Sequence, residues 1–151
     1  MNYCTNSTLN GDGKKCVINM SLGSRYSSDF NEAVASAVAS GVVVVVAAGN
    51  SNADACSYSP ASESSALSVG ATNSSDMRTN FSNYGDCVDV YAPGDDIVSA
   101  SKTSVSAVST MRGTSMAAPR EYGFSYPQYP LRVECFLSPL PYRFVFFIRK
   151  F

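Results

Sequence analysis

A serine flanked by small residues stands at position 115, in Gly113-Thr114-Ser115-Met116-Ala117-Ala118-Pro119. At a strand-to-helix junction such a serine lies beside backbone N–H groups that lack intrahelical partners and stabilise negative charge. A nucleophilic hydroxyl needs that setting, because its attack on a carbonyl generates an oxyanion. Alone, the pattern favours a plainer reading, a small-residue turn into an ordinary helix. Two further segments bear on it. Ala47-Ala48-Gly49-Asn50 ends an apolar run with an amide side chain, and Ser21-Leu22-Gly23 ends another. Ligands in α/β sheets bind at the C-terminal ends of strands, although asparagine after glycine is also a common turn residue. There is no histidine. The commonest general base is therefore missing, and an α/β-hydrolase elbow on Gly113-x-Ser115-x-Ala117 is excluded because it needs a downstream histidine.

The elements that would position these residues follow from periodicity. Cys16-Val17-Ile18-Asn19-Met20 reads as a short buried strand. A helix is expected next, capped by Asp29 with Glu32 three residues on, and with Phe30, Val34, Ala37 and Val38 at helical spacing. Gly41 stands where a helix C-terminal glycine belongs. Val42 to Val46 are five β-branched residues without alternation, which predicts a strand covered on both faces, as in a parallel sheet. Strand, helix, strand in this span is a βαβ unit, so Ser21–Gly23 and Asn50 are expected to emerge at one edge. Leu67 to Ala71, Val88 to Tyr91, Ile97 to Ala100 and Val105 to Thr110 supply further strands. An α/β layered core results.

Composition narrows the function classes. The 151 residues carry a net charge of −1, which offers no footprint for nucleic acid or an anionic membrane. The longest apolar stretch, Val42 to Ala48, is far short of the roughly 20 residues that span a bilayer. The N-terminus shows no signal-peptide pattern. The five cysteines are Cys4, Cys16, Cys56, Cys87 and Cys135. With no Cys-x-x-Cys pair and no histidine, a zinc site is not expected.

Residues 1–119 carry six basic and ten acidic side chains, whereas 120–151 carry five and two, with six of the eight Phe and four of the seven Pro. The expected organisation is a core over 1–119 followed by an irregular, poorly ordered tail over 120–151.

Taken together in order, Ser21-Leu22-Gly23, Ala47-Ala48-Gly49-Asn50 and Gly113-Thr114-Ser115-Met116-Ala117-Ala118-Pro119 resemble the subtilisin family of serine proteases, in its proteinase K-like branch. Tyr58-Ser59-Pro60-Ala61-Ser62-Glu63, Val69-Gly70-Ala71, Phe81-Ser82-Asn83-Tyr84-Gly85 and Ala92-Pro93-Gly94 are similar to that branch too. The resemblance covers roughly residues 16–119. It implies a partial three-layer α/β fold with a mainly parallel sheet, and a secreted, monomeric serine endopeptidase acting on polypeptides. Ser115 would be the nucleophile, with its own N–H and the Asn50 side chain forming the oxyanion hole. Ser21, Leu22 and Gly23 would offer backbone groups to an extended substrate. Ala47, Ala48 and Gly49 would wall the pocket for the side chain before the cleaved bond, with room for an apolar or aromatic group. The resemblance also implies a Cys56–Cys87 disulfide. No cofactor is required, and a structural calcium on Asp89, aided by carbonyls near Ser64 and Ala66, is implied on a single carboxylate.

The family's catalytic aspartate and histidine precede the matched region, and after Pro119 its His-Val-Ala-Gly is replaced by Arg120-Glu121-Tyr122-Gly123. A helix cut short there and a chain inactive by itself are expected. The alternative is a non-catalytic remnant that binds peptides without cleaving them.

Overall fold

The computed structural model describes residues 17–101, 103–104 and 106–125. Cys4, Cys16 and Cys135, and most of the expected tail, lie outside them. A four-stranded parallel sheet forms from β1 (Val17–Met20), β3 (Val43–Ala47), β5 (Leu67–Thr72) and β6 (Val90–Pro93), in the order β1-β3-β5-β6. β1 and β3 run in register from Val17 opposite Val43 to Met20 opposite Val46. Between them lies α1 (Ser28–Ala39), completing the βαβ unit. The second helix, α2 (Thr114–Ser125), comes last among the described elements.

The valine run behaves as a strand covered on both faces. Val44 and Val46 pack with Met20, Val34, Ala37 and Ala66 on the α1 side. Val45 and Ala47 pack with Val69, Ala71, Ala92, Ala117 and Ala118 on the α2 side. Helix, sheet and helix make three layers, and alanine on both β5 and α2 lets that helix approach the sheet closely.

Two small antiparallel pairs complete the described fold. β2 (Ser24–Arg25) pairs with β4 (Tyr58–Ser59), placing Arg25 opposite Tyr58. β7 (Ile97–Ala100) pairs with β8 (Val108–Met111).

Several expected boundaries move. Ser27, not Asp29, caps α1: its backbone is extended and its hydroxyl accepts from the Phe30 N–H. The cause is tertiary, since Ser59 Oγ takes the Ser27 N–H and donates to the Ser27 carbonyl. Asp29 falls in the first turn instead, where a carboxylate complements the helix dipole. At the other end Gly41 has φ +83°. Its N–H bonds to Val38 and that of Val42 to Ala37, the pair of contacts that closes a helix with a left-handed residue.

β6 begins at Val90 rather than Val88, because Val88 is held in a turn by Gly85. It continues through Pro93, which is tolerated on this edge strand. The last strand is described from Val108 to Met111, one residue past the expected Thr110, and Val105 lies outside the described residues. α2 carries Pro119 inside it and is described as far as Ser125.

Candidate active site

The C-terminal ends of β1 and β3 and the N-terminus of α2 meet at one rim. Leu22, Gly23, Ala47, Ala48, Gly49, Asn50 and Ser115 line a cleft of about 220 Å³ there, together with Arg25, Tyr58 and Ala61. Ser21 reaches the same place through its bonds to Ser115. The segments expected at one edge are therefore together.

Ser115 is the second residue of α2, so its N–H belongs to the first turn, which has no intrahelical acceptor. The positive end of the helix favours charge developing beside it. Its hydroxyl donates to the Ser21 carbonyl at 3.4 Å. With no histidine in the chain, no imidazole takes that proton, and a serine hydroxyl without a base is a weak nucleophile.

Asn50 is oriented by its neighbours. Its Oδ1 accepts from the Thr114 N–H at 2.8 Å and from Thr114 Oγ1 at 3.0 Å, while Thr114 Oγ1 accepts from the Gly49 N–H at 3.2 Å. With Oδ1 occupied, Nδ2 is left to donate elsewhere. Asn50 itself is solvent-exposed and Thr114 is fully buried.

The loop carrying Asn50 is clamped from behind by Asn83. This side chain is fully buried. Its Oδ1 accepts from the N–H groups of Ser51 and Ala53, and its Nδ2 donates to the Ala48 carbonyl at 2.8 Å. Gly49 has φ +105°, and a Cβ there would run into Asn83 Nδ2. Both facts require glycine at this position.

The implied disulfide forms: Cys56 and Cys87 are bonded, with Cα atoms 5.2 Å apart. It ties the segment after the Asn50 loop to the segment after Asn83.

Asp89 is engaged elsewhere. It is exposed, its Oδ2 accepts from the Ser68 N–H at 2.7 Å, and its N–H donates to the Ser68 carbonyl. Calcium takes six to eight oxygens. Among the described residues no group of three or more His, Cys, Asp or Glu is gathered that could hold a metal ion. Any such site would rest on one carboxylate plus backbone carbonyls and water. Among the described residues, too, no helix is long and apolar enough to cross a membrane.

The sequence reading missed Thr114, Asn83 and Arg25. The first two sit inside quoted motifs, but their partners lie 30 or more residues away. Arg25 reaches the cleft only through the two-residue pairing of β2 with β4.

The chain is similar to known proteins over most of its length. The subtilase family model matches residues 5–120. Subtilisin-like protease 2 of Pseudogymnoascus destructans is 53% identical over 116 residues, 77% of this chain and 29% of that protein. An extracellular serine proteinase of a Thermus species is 56% identical over 110 residues, 73% of this chain and 27% of that protein. Alkaline protease 1 of Aspergillus clavatus is 51% identical over 125 residues, 82% and 31% respectively. The chain thus spans less than a third of the length of each of these relatives. The crystal structure of a cold-adapted subtilisin-like serine proteinase superposes with a TM-score of 0.73 at 43% identity, over 82% of this chain and 46% of that one. With the family model covering more than half of it, the chain belongs to the subtilase family of serine proteases.

Proposed function

We propose that this chain carries the nucleophile and oxyanion-binding part of a serine endopeptidase site that hydrolyses peptide bonds. Ser115 Oγ attacks the scissile carbonyl, and the Ser115 N–H and Asn50 Nδ2 receive the oxyanion. Ser21, Leu22 and Gly23 offer backbone groups to an extended polypeptide, and Ala47, Ala48 and Gly49 wall the pocket for the residue before the cleaved bond. The observation that carries this reading is that Ser115 and Asn50, 65 positions apart in sequence, line the same cleft, with Asn50 Oδ1 held by the N–H of Thr114, the residue before Ser115.

General-base assistance is typically worth ~10²–10⁴ in rate, and none of the described residues lining the cleft is a histidine or a carboxylate that would supply it. The 151-residue chain, which has no histidine, is therefore inactive by itself. Residues 1–119 form the catalytic-domain portion and 120–151 a divergent tail. The Cys56–Cys87 bridge fits an extracellular, disulfide-permissive setting, and a monomer is the proposed state. A calcium ion on Asp89 would supply structural support only.

Fluorophosphonate labelling tests the reading directly. The chain alone is expected to leave Ser115 unlabelled. Labelling that is abolished in Ser115→Ala would show that the hydroxyl is activated without histidine, and the inactivity would be wrong. An extended peptide that shifts the Asn50 side-chain NMR signals without being cleaved would support a binding role for the chain by itself.

A further inference from the structure

The small walls of the cleft set the size of the side chain it accepts, but one residue sets its charge. Arg25 lines the cleft together with Ala47, Ala48, Tyr58 and Ala61, and no acidic side chain lines it among the described residues. Arg25 stands opposite Tyr58 in the β2–β4 pair, and its guanidinium lies over the Tyr58 ring at 5.9 Å from the centroid. A guanidinium against an aromatic face keeps its in-plane N–H groups for a planar acceptor. The residue is solvent-exposed, and Tyr58, over whose ring its guanidinium lies, lines the same cleft.

We infer that the pocket for the residue before the cleaved bond selects an acidic side chain, glutamate above all, through Arg25. Two methylenes pack along the alanine walls and the carboxylate reaches the guanidinium, forming a charge-assisted hydrogen bond. A lysine at the same position is repelled, and glutamine keeps the shape while losing the charge. This inference rests on the assignment of the cleft as a substrate site, and it names the substrate class of that site. Size alone leads to the expectation of an apolar or aromatic group, so the two readings differ in outcome.

The test is binding, because the chain alone is not expected to cleave. Acetyl-Ala-Ala-Pro-Xaa-amide peptides, with Xaa Glu, Gln, Phe or Lys, are titrated into the 151-residue chain. Dissociation constants are read from the Asn50 side-chain amide and the Ser115 backbone amide by NMR. The Glu peptide is expected to bind about fivefold more tightly than the Gln peptide at low salt, the scale of a solvent-accessible ion pair. High salt reduces that ratio. Arg25→Gln brings it to unity, and Arg25→Glu reverses the order so that Lys exceeds Gln. An exposed position lets both variants keep the wild-type thermal midpoint. If Phe binds tightest and the Glu-to-Gln ratio is the same in wild type and Arg25→Gln, the acidic preference is overturned while the substrate cleft stands. If no peptide shifts either signal, the cleft assignment falls, and this inference with it.

Discussion

Ser21 and Ser115 hold each other by reciprocal bonds: Ser21 Oγ donates to the Ser115 carbonyl at 2.9 Å, and Ser115 Oγ donates to the Ser21 carbonyl at 3.4 Å. The first bond exists because of a residue four positions on. In a helix the carbonyl of residue 115 would accept from the N–H of residue 119, but Pro119 has none. The freed carbonyl is taken by Ser21 Oγ, which itself accepts from Asn19 Nδ2 at 3.0 Å. A proline inside α2 thus ties the end of β1 to the Ser115 segment.

Ser21→Ala is therefore expected to cost about 1–2 kcal/mol, the scale of leaving a partly buried acceptor and donor unpaired. Ser115→Ala should cost less, because its own bond is long. In a Pro119→Ala background the new N–H can serve the Ser115 carbonyl, so Ser21→Ala becomes cheaper by about 0.5–1 kcal/mol. Urea denaturation of the four variants of this cycle measures the coupling. Strict additivity would show that Ser21 Oγ and the missing N–H are unrelated.

Asn83 is the side chain on which the amide loop depends most. Asn83→Ala strands the N–H groups of Ser51 and Ala53 and the Ala48 carbonyl and empties a fully buried position. A loss of about 3 kcal/mol is expected from unpaired polar groups and cavity together. Hydrogen exchange at Ser51 and Ala53 should accelerate with it. Asn83→Asp keeps the acceptor but loses the donor to Ala48 and buries a charge, so it gives little rescue. Stability within about 0.5 kcal/mol of wild type for Asn83→Ala would refute the clamp.

Much of this arrangement was legible in the residues, for a physical reason. Five consecutive valines admit few structures other than a doubly covered strand, and Gly41 marks its own left-handed helix end. Ser115 and Asn50, expected at one edge of the sheet, line one cleft. What escaped was set by distant contacts. Asp29 lost the cap because Ser59, 32 positions from Ser27, holds Ser27 extended. The Ser115 carbonyl, left unbonded by Pro119 within α2, finds its partner in Ser21, 94 positions away. Arg25 gave no periodic signal, since a two-residue strand has no period to read.

The Cys56–Cys87 bridge spans a sequence separation of 31. In the chain-entropy model a loop of that size stabilises by about 3–4 kcal/mol. Reduction is expected to lower the urea midpoint by a corresponding amount, with Cys56→Ala/Cys87→Ala behaving like the reduced protein. The denatured state bears most of the effect, so the folded Asn50 loop should keep its NMR shifts in the reduced form at low temperature. A midpoint unmoved by reduction would show that the bridge constrains nothing the fold does not already fix.

Thr114 offers the sharpest separation between packing and polarity at the site. Its hydroxyl donates to Asn50 Oδ1 and accepts from the Gly49 N–H, at a position with no solvent exposure. Thr114→Val keeps the shape and removes both bonds, leaving the Gly49 N–H without its partner, which costs about 1–3 kcal/mol. Thr114→Ser keeps the hydroxyl and loses a buried methyl, which costs about 1 kcal/mol. If the hydroxyl orients Asn50, the valine variant is the less stable of the two, and it alone shifts the Asn50 side-chain amide signals. The opposite order of stability would mean that Thr114 is there for its methyl, and that the Asn50 amide takes its direction from the Thr114 backbone N–H by itself.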